Sequence, residues 1–320
     1  MATETTTADR TPARGRLMFQ MLIGTDIPFM KFRRIAYVFS GVLLAATLVW
    51  FFARGPRYSV DFTGGTLLQV RLNTAVHPDQ LRHALAAQKI EAEIQQVSGQ
   101  GVQNEYIIRF RTEADPVAQF EQALHQSLPN VAVAQLRRNE TVGPKVGSDL
   151  RQKAFWAILT SLGAILIYVG IRYEFKFALG GVVALFHDVL ITLGALMLTG
   201  REVSLTVVAA LLTIAGYSIN DTIVVFDRIR ERAKALRKER HSRVMDLAVN
   251  ETLSRTVITA FTVFLAALAL FVWGGEVLRD FSFAMLVGTV FGTYSSVYVA
   301  SAMALDIWIA LDRQKGIAAE

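Results

Sequence analysis

Residues 203–226 read VSLTVVAALLTIAGYSINDTIVVF, an apolar stretch whose single ionisable acid or base is Asp221. A bilayer core about 30 Å thick needs about 20 mostly apolar residues in helical form, and this stretch supplies them. The next acid, Asp227, follows six residues on, so Asp221 lies about 9 Å deeper along a helix rising 1.5 Å per residue. An Asp at the centre of a membrane helix costs about 2.5–3.5 kcal/mol on insertion scales. Such a group faces a bundle interior or water and marks an ion pathway, unless an interhelical hydrogen bond accounts for it. The stretch therefore sets a titratable carboxylate inside a multi-helix membrane protein.

Five more windows meet the same length test: 34–53, 153–171, 177–199, 255–273 and 281–310. Composition agrees, since 52% of the 320 residues are apolar and only 19% are charged, with a mean hydropathy of +0.37. The net charge of +6 collects beside the spans, which argues for membrane topology and against nucleic acid as a partner. The leader, residues 1–33, carries Arg10, Arg14, Arg16, Lys31 and Arg33, with Arg34 opening the first span. The 172–176 connection has Arg172 and Lys176, and the 227–253 loop runs from Arg228 and Arg230 through Arg237, Lys238, Arg240 and Arg243. The opposite short loops offer only Arg201 and Arg279, each beside an acid. Basic loops stay cytoplasmic, so both termini, including the 311–320 tail, are expected there. The first span ends Trp50-Phe51-Phe52-Ala53-Arg54 without a cleavage pattern and reads as a retained anchor. Cysteine is absent, which excludes disulfides and thiolate metal sites. The 227–253 stretch reads either as an amphipathic helix on the cytoplasmic surface or as a solvated loop.

Segment 54–151 then lies outside the cytoplasm, and its pattern changes to alternation. Thr66–Leu72 reads as a strand, and His77-Pro78 opens a helix with Leu81, Leu85 and Ala86 on one face. Strands follow near Ala92–Val97 and Tyr106–Phe110; Pro116 starts a helix through Val117, Phe120, Leu124 and Leu128; Val131–Leu136 closes the series. The order β-α-β-β-α-β predicts a ferredoxin-like α+β domain inserted after the first of six membrane helices.

Other intramembrane residues stand out. His187 and Asp188 sit mid-span in 177–199, Asn220 precedes Asp221, and Arg255 is the cation on the following helix able to reach Asp221, although an Arg near a helix end also snorkels to the interface. Gly288, Gly292, Ser296, Ala300 and Ala304 repeat every fourth position, a ladder that admits close helix approach. Asp61-Phe62-Thr63-Gly64-Gly65 and Thr141-Val142-Gly143-Pro144-Lys145-Val146-Gly147 frame the external domain; they read as ordinary connectors or as hinges. P-loop, HExxH and GxSxG motifs are missing, so no catalytic residue is assigned. One His beside one Asp makes a poor metal site.

These residues together resemble the SecF side of the SecD/SecF family of bacterial protein-export membrane subunits. The resemblance runs over nearly the whole chain after about residue 28. Its carriers are the Asp61–Gly65 and Thr141–Gly147 motifs, His187-Asp188, the run from Ala209 through Gly216 and Asn220-Asp221 to Asp227-Arg228, Thr252–Thr256, and Gly292–Ser296. The resemblance implies half of an RND-type transporter in the bacterial inner membrane. It implies work with SecD, the SecYEG channel and YajC to export unfolded preproteins through the lipid bilayer after the ATP-driven step, with the proton gradient in place of a cofactor. By the same resemblance Asp221 and Arg255 fall on positions tied to proton use. The fifth span departs from the family in having few hydroxyls after Thr256, only Thr259 and Thr262. Three readings stay open: a proton-driven export motor in which Asp221 pairs with Arg255 or a SecD residue, a small-solute antiporter, and a passive scaffold for SecD.

Overall fold

The computed structural model describes residues 24–90, 92–97, 104–110, 115–173 and 175–314; Arg10, Arg14, Arg16 and residues 315–320 lie outside the described residues. In chain order the elements begin with α1 (Arg33–Ala53), β1 (Arg57–Tyr58), α2 (Val60–Thr63), β2 (Gly65–Leu72), α3 (Pro78–Ala87), β3 (Ala92–Gln96), β4 (Glu105–Phe110), α4 (Pro116–Ser127) and β5 (Val133–Val142). They continue with α5 (Pro144–Arg172), α6 (Phe175–Leu198), β6 (Glu202–Val203), α7 (Leu205–Ala235), α8 (His241–Trp273), α9 (Gly275–Ser295) and α10 (Ser301–Gln314). Two compact units result, one of residues up to Gly55, Thr160–Gly200 and from Ala209 on, the other of Pro56–Leu159 and Arg201–Val208.

Among the described residues six helices are long and apolar enough to cross a membrane. The sixth is α9 and α10 joined by a π-helical turn, Ser296–Ala300. α6 packs on α1, α9 and α10, and α8 on α9. The apolar windows of α6, α7 and the sixth span are 56% buried within the chain, against 11% for α5 and 17% for α1 and α8. The first three thus form the interior, and the others turn most of their surface outward.

The 227–253 stretch is neither a separate surface helix nor a loop. α7 runs on to Ala235, and α8 begins at His241. The sequence 227–235 has no Gly or Pro and a single β-branched residue, Ile229, so nothing stops the helix at the membrane edge. At 1.5 Å per residue the 31-residue α7 and 33-residue α8 reach about 46 and 50 Å, well beyond the hydrocarbon core. The projecting start of α8 is partly a core element, with Val244, Met245, Ala248 and Val249 buried. It also receives the leader: Asp246 accepts from the Met30 amide at 2.8 Å, and the Asn250 amide bonds both polar groups of Ile27.

In the second unit β3-β4-β2-β5 form a four-stranded sheet, every neighbour antiparallel. That order is the ferredoxin-like split unit, each helix linking strands separated by one other. Leu68, Val70, Leu72, Ile94, Ile108 and Phe110 alternate onto the face that meets Leu81, Leu85, Phe120 and Leu124 of α3 and α4. His77 Nδ1 caps α3, and the Asp115 carboxylate accepts from Ala118 N at the start of α4. The last strand runs to Val142, six residues past the expected end, because β5 stays paired with β2 as far as Gly65.

That extension brings the two framing motifs together, so they are not ordinary connectors. Gly64 and Gly65 take φ of +75° and +116°, where a side chain is strained. A Cβ on Gly64 would stand 2.7 Å from Pro144 Cα, and one on Gly147 would stand 2.8 Å from Gly64 N. Thr66 and Thr141 hydroxyls bond at 2.9 Å just above. Gly143 supplies the turn, and Pro144 starts α5, where its missing N–H costs nothing. Beside this lock, Asp61 accepts from the Leu205 amide at 3.0 Å and so caps α7. β1 pairs in parallel with β6, and Arg109 of β4 forms an ion pair with Glu202.

Candidate functional site

Of the carboxylates buried in the helical unit, Asp246 lies at the projecting start of α8, while Asp188 and Asp221 lie within the spans. Asp188 on α6 has no exposed surface. Its Oδ2 accepts from Ser218 of α7 at 2.5 Å and from Ser295 of α9 at 2.7 Å, and its Oδ1 meets His187 Nδ1 at 2.9 Å. The other imidazole nitrogen reaches Ser40 of α1 at 3.1 Å, and Ser40 meets the Tyr294 phenol at 3.1 Å. Tyr294 in turn donates to the Ala36 carbonyl. A continuous chain of exchangeable hydrogens therefore runs from Asp188 to α1. Ser40, His187 and Asp188 have the connectivity of a hydrolase triad, but Ser40 sits mid-helix, where the neighbouring N–H groups are already bonded and do not serve as oxyanion-hole donors.

Asp221 lies one turn beyond Ser218 on α7. Its Oδ1 accepts from Thr256 of α8 and its Oδ2 from Ser296, the first residue of the π-helical turn, both at 2.6 Å. A π turn widens the helix by one residue, and it is frequent at functional sites. Here Ser301 Oγ bonds the freed Ser296 carbonyl at 2.8 Å. The adjacent serines Ser295 and Ser296 thus serve Asp188 and Asp221 separately.

Asp221 is not ion-paired with Arg255, contrary to the pairing expected from the sequence. Consecutive helical residues point about 100° apart, so the turn that aims Thr256 at Asp221 swings Arg255 onto the open face of α8, where it is exposed. Asn220 is likewise exposed while Asp221 is buried, and Gly216, one turn earlier, has no atom within 4 Å of where a Cβ would stand. Asp227 and Arg228 lie past the apolar core. Asp227 is 3.9 Å from Arg172, and Arg228 pairs with Glu231 and Glu251. Burial and a hydrogen bond to Asp227 push the Tyr173 phenol, in the short connection after α5, up to about 12.

The small-residue ladder packs inside the chain. A Cβ on Gly288 would stand 2.3 Å from Ile214 Cδ1, and one on Gly292 would stand 3.3 Å from Ser218 Cβ. Ala300 lies against Gly180 of α6, and Ser296 is a ligand of Asp221 rather than only a spacer. Sequence reasoning missed Ser40, Ser218, Thr256, Tyr294 and Ser295. Ser218 stands one turn before Asp221, and the Ser295-Ser296 pair interrupts an apolar span; those spacings were the available signal.

Six helices long and apolar enough to span a membrane, an inserted ferredoxin-like domain and hydroxyl-bound carboxylates within the spans define a multi-pass membrane protein with a polar centre among its helices. Residues 122–309 match the family model for the protein export membrane protein SecD/SecF, C-terminal, and residues 49–76 match the SecD/SecF GG motif. Protein translocase subunit SecF of Calditerrivibrio nitroreducens is 41% identical over 87% of this chain and 93% of its own length, and that of Vibrio alginolyticus is 42% identical over 91% and 93%. The crystal structure of SecDF, a translocon-associated membrane protein from Thermus thermophilus, superposes with a TM-score of 0.81 at 40% identity, over 90% of this chain and 39% of that one. The chain thus spans about two fifths of the SecDF polypeptide. It belongs to the SecD/SecF protein-export family, as a translocase subunit of the SecF type.

Proposed function

We propose that the chain handles protons for a two-subunit export motor, with Asp221 as the group that gains and loses them. One observation carries this reading: Asp221 is buried, yet it is held only by two hydroxyls from neighbouring helices. A hydroxyl donates to a carboxylate and accepts from a carboxylic acid, so one pocket accommodates both protonation states, where a bound guanidinium would favour only the charged one. Arg255 stands on the adjacent turn as the cation that a shift of α7 against α8 brings into play. His187 and Asp188, linked through Ser218 to α7 and through Ser295 to α9, form the second proton-holding pair. Each proton crossing is worth about 2.3 kcal/mol per 100 mV, or about 50-fold in a two-state equilibrium. α7 runs unbroken from the Leu205 amide that Asp61 caps to Asp221.

The partner is a SecD subunit. Thr213, Gly216 and Asn220 on α7, with Arg255, Thr259 and Thr262 on α8, form exposed stripes of polar and small residues. Asn and Arg facing lipid are costly, and a partner helix removes that cost. By kinship the complex serves the SecYEG channel, with YajC, and moves unfolded preproteins across the bacterial inner membrane, both termini cytoplasmic, drawing on the proton gradient and no bound cofactor. The test uses inverted vesicles with ATP saturating, with and without a proton gradient. Asp221→Asn is expected to insert normally and export at the gradient-free rate in both. Full gradient stimulation in that variant would remove the proton role.

A further inference from the structure

Where α5 ends and α7 projects beyond the apolar core, Arg172, Asp227, Arg230, Glu231, Lys234 and Ala235 line an open cavity of about 610 Å³. The charges around it do not cancel. Asp227 faces Arg172 at 3.9 Å, and Glu231 is engaged by Arg228. Arg230 and Lys234, one turn apart on α7, have no carboxylate within ion-pair distance among the described residues. Arg230 is also held in place: its guanidinium stands 6.0 Å from the Tyr173 ring, which carries Arg172 at 5.1 Å as well. In the turns of α5 just before Arg172, Ile167, Tyr168 and Ile171 are exposed, Ile171 with 83% of its surface. The two-cation pocket therefore stands at the end of a span that presents an exposed apolar track.

We infer that this cavity binds the phosphate headgroup of an anionic phospholipid, with its acyl chains along the outer face of α5. A headgroup supplies the anion that Arg230 and Lys234 lack among the described residues, and the track accounts for the diacyl part. Basic pockets between membrane helices favour such headgroups, with each cation contributing separately. A free phosphate would use the cations and ignore the track; an acidic loop of a partner protein would need neither the track nor the membrane level.

The test is native mass spectrometry of the full-length chain in a zwitterionic detergent, titrated with phosphatidylglycerol, phosphatidylcholine or inorganic phosphate. Wild type is expected to bind phosphatidylglycerol about tenfold more tightly than phosphatidylcholine. The Arg230→Gln/Lys234→Gln variant is expected to lose that preference, while Arg237→Gln/Lys238→Gln, which removes the same charge from the 236–240 turn, keeps it. Equal binding of the two lipids by wild type would overturn the assignment, as would an unchanged preference in the first variant. Inorganic phosphate that competes at the same concentration as phosphatidylglycerol would also overturn it, since the track would then contribute nothing. Circular dichroism confirms that both variants keep their helical content.

Discussion

Replacing Gly64 with Ala tests whether the two glycine motifs interlock. The added Cβ meets Pro144 Cα at 2.7 Å and Pro144 N at 2.9 Å, and both atoms are backbone, so no side-chain rotation relieves the contact. The residue also sits at φ +75°, where an L side chain is strained. Strain of about 1–3 kcal/mol and overpacking of about 1–3 kcal/mol together predict about 2–6 kcal/mol lost from the closed lock. At 1.4 kcal/mol per tenfold, amide hydrogens of Gly65–Leu68 and Glu140–Val142 should exchange at least about 30-fold faster in the full-length protein. The internal control is Gly216→Ala, whose Cβ meets nothing within 4 Å. It should leave exchange throughout the isolated chain unchanged and weaken only association with SecD. Exchange in Gly64→Ala within threefold of wild type at the β2–β5 junction would refute the interlock and return the motifs to ordinary connectors.

Gly288→Ala presents the opposite situation, because its clash at 2.3 Å is with a side-chain end, Ile214 Cδ1. The single variant should lower thermal stability by about 1–3 kcal/mol, and adding Ile214→Ala should restore part of it; strictly additive melting data would contradict direct packing. Asp61→Ala removes the cap on Leu205 N and should cost about 0.5–2 kcal/mol, read as faster exchange at Leu205–Val208, whereas Asp61→Asn should retain most protection. Asp188→Ala leaves Ser218 and His187 without their buried acceptor, at about 1–3 kcal/mol each. A melting curve matching wild type would show that the Asp188 network is not structural.

The membrane spans and the α+β insert were legible because each rests on a periodicity: long apolar runs in one case, alternation with His77 and Pro116 as helix starts in the other. The extension of α7 and α8 past the bilayer was hidden, because charged residues such as Arg228, Glu231 and Arg232 are good helix formers and also mark loops. Asp221 and Asp188 announced themselves by the cost of burying a charge. Their ligands did not, since Ser218, Thr256 and Ser295 are cheap inside a membrane helix, where each can bond a carbonyl one turn back. Ser295 does so, to Gly292 O at 3.1 Å, while also serving Asp188. A hydroxyl's presence in a span carries almost no information until its direction is known.

Direction also decides the fate of the expected Asp221–Arg255 pair. The sequence placed Arg255 within reach of Asp221 and set Asn220 beside it. The helical rotation of about 100° per residue separates neighbours in sequence: Thr256 and Asp221 turn inward and bond, while Arg255 and Asn220 are exposed. The chain therefore holds its carboxylate in a hydroxyl-lined pocket and turns the neighbouring cation, Arg255, onto the exposed face of α8. Under the proposed proton role that separation matters, because a permanent ion pair between Asp221 and Arg255 would favour the charged carboxylate and leave a proton gradient less to switch.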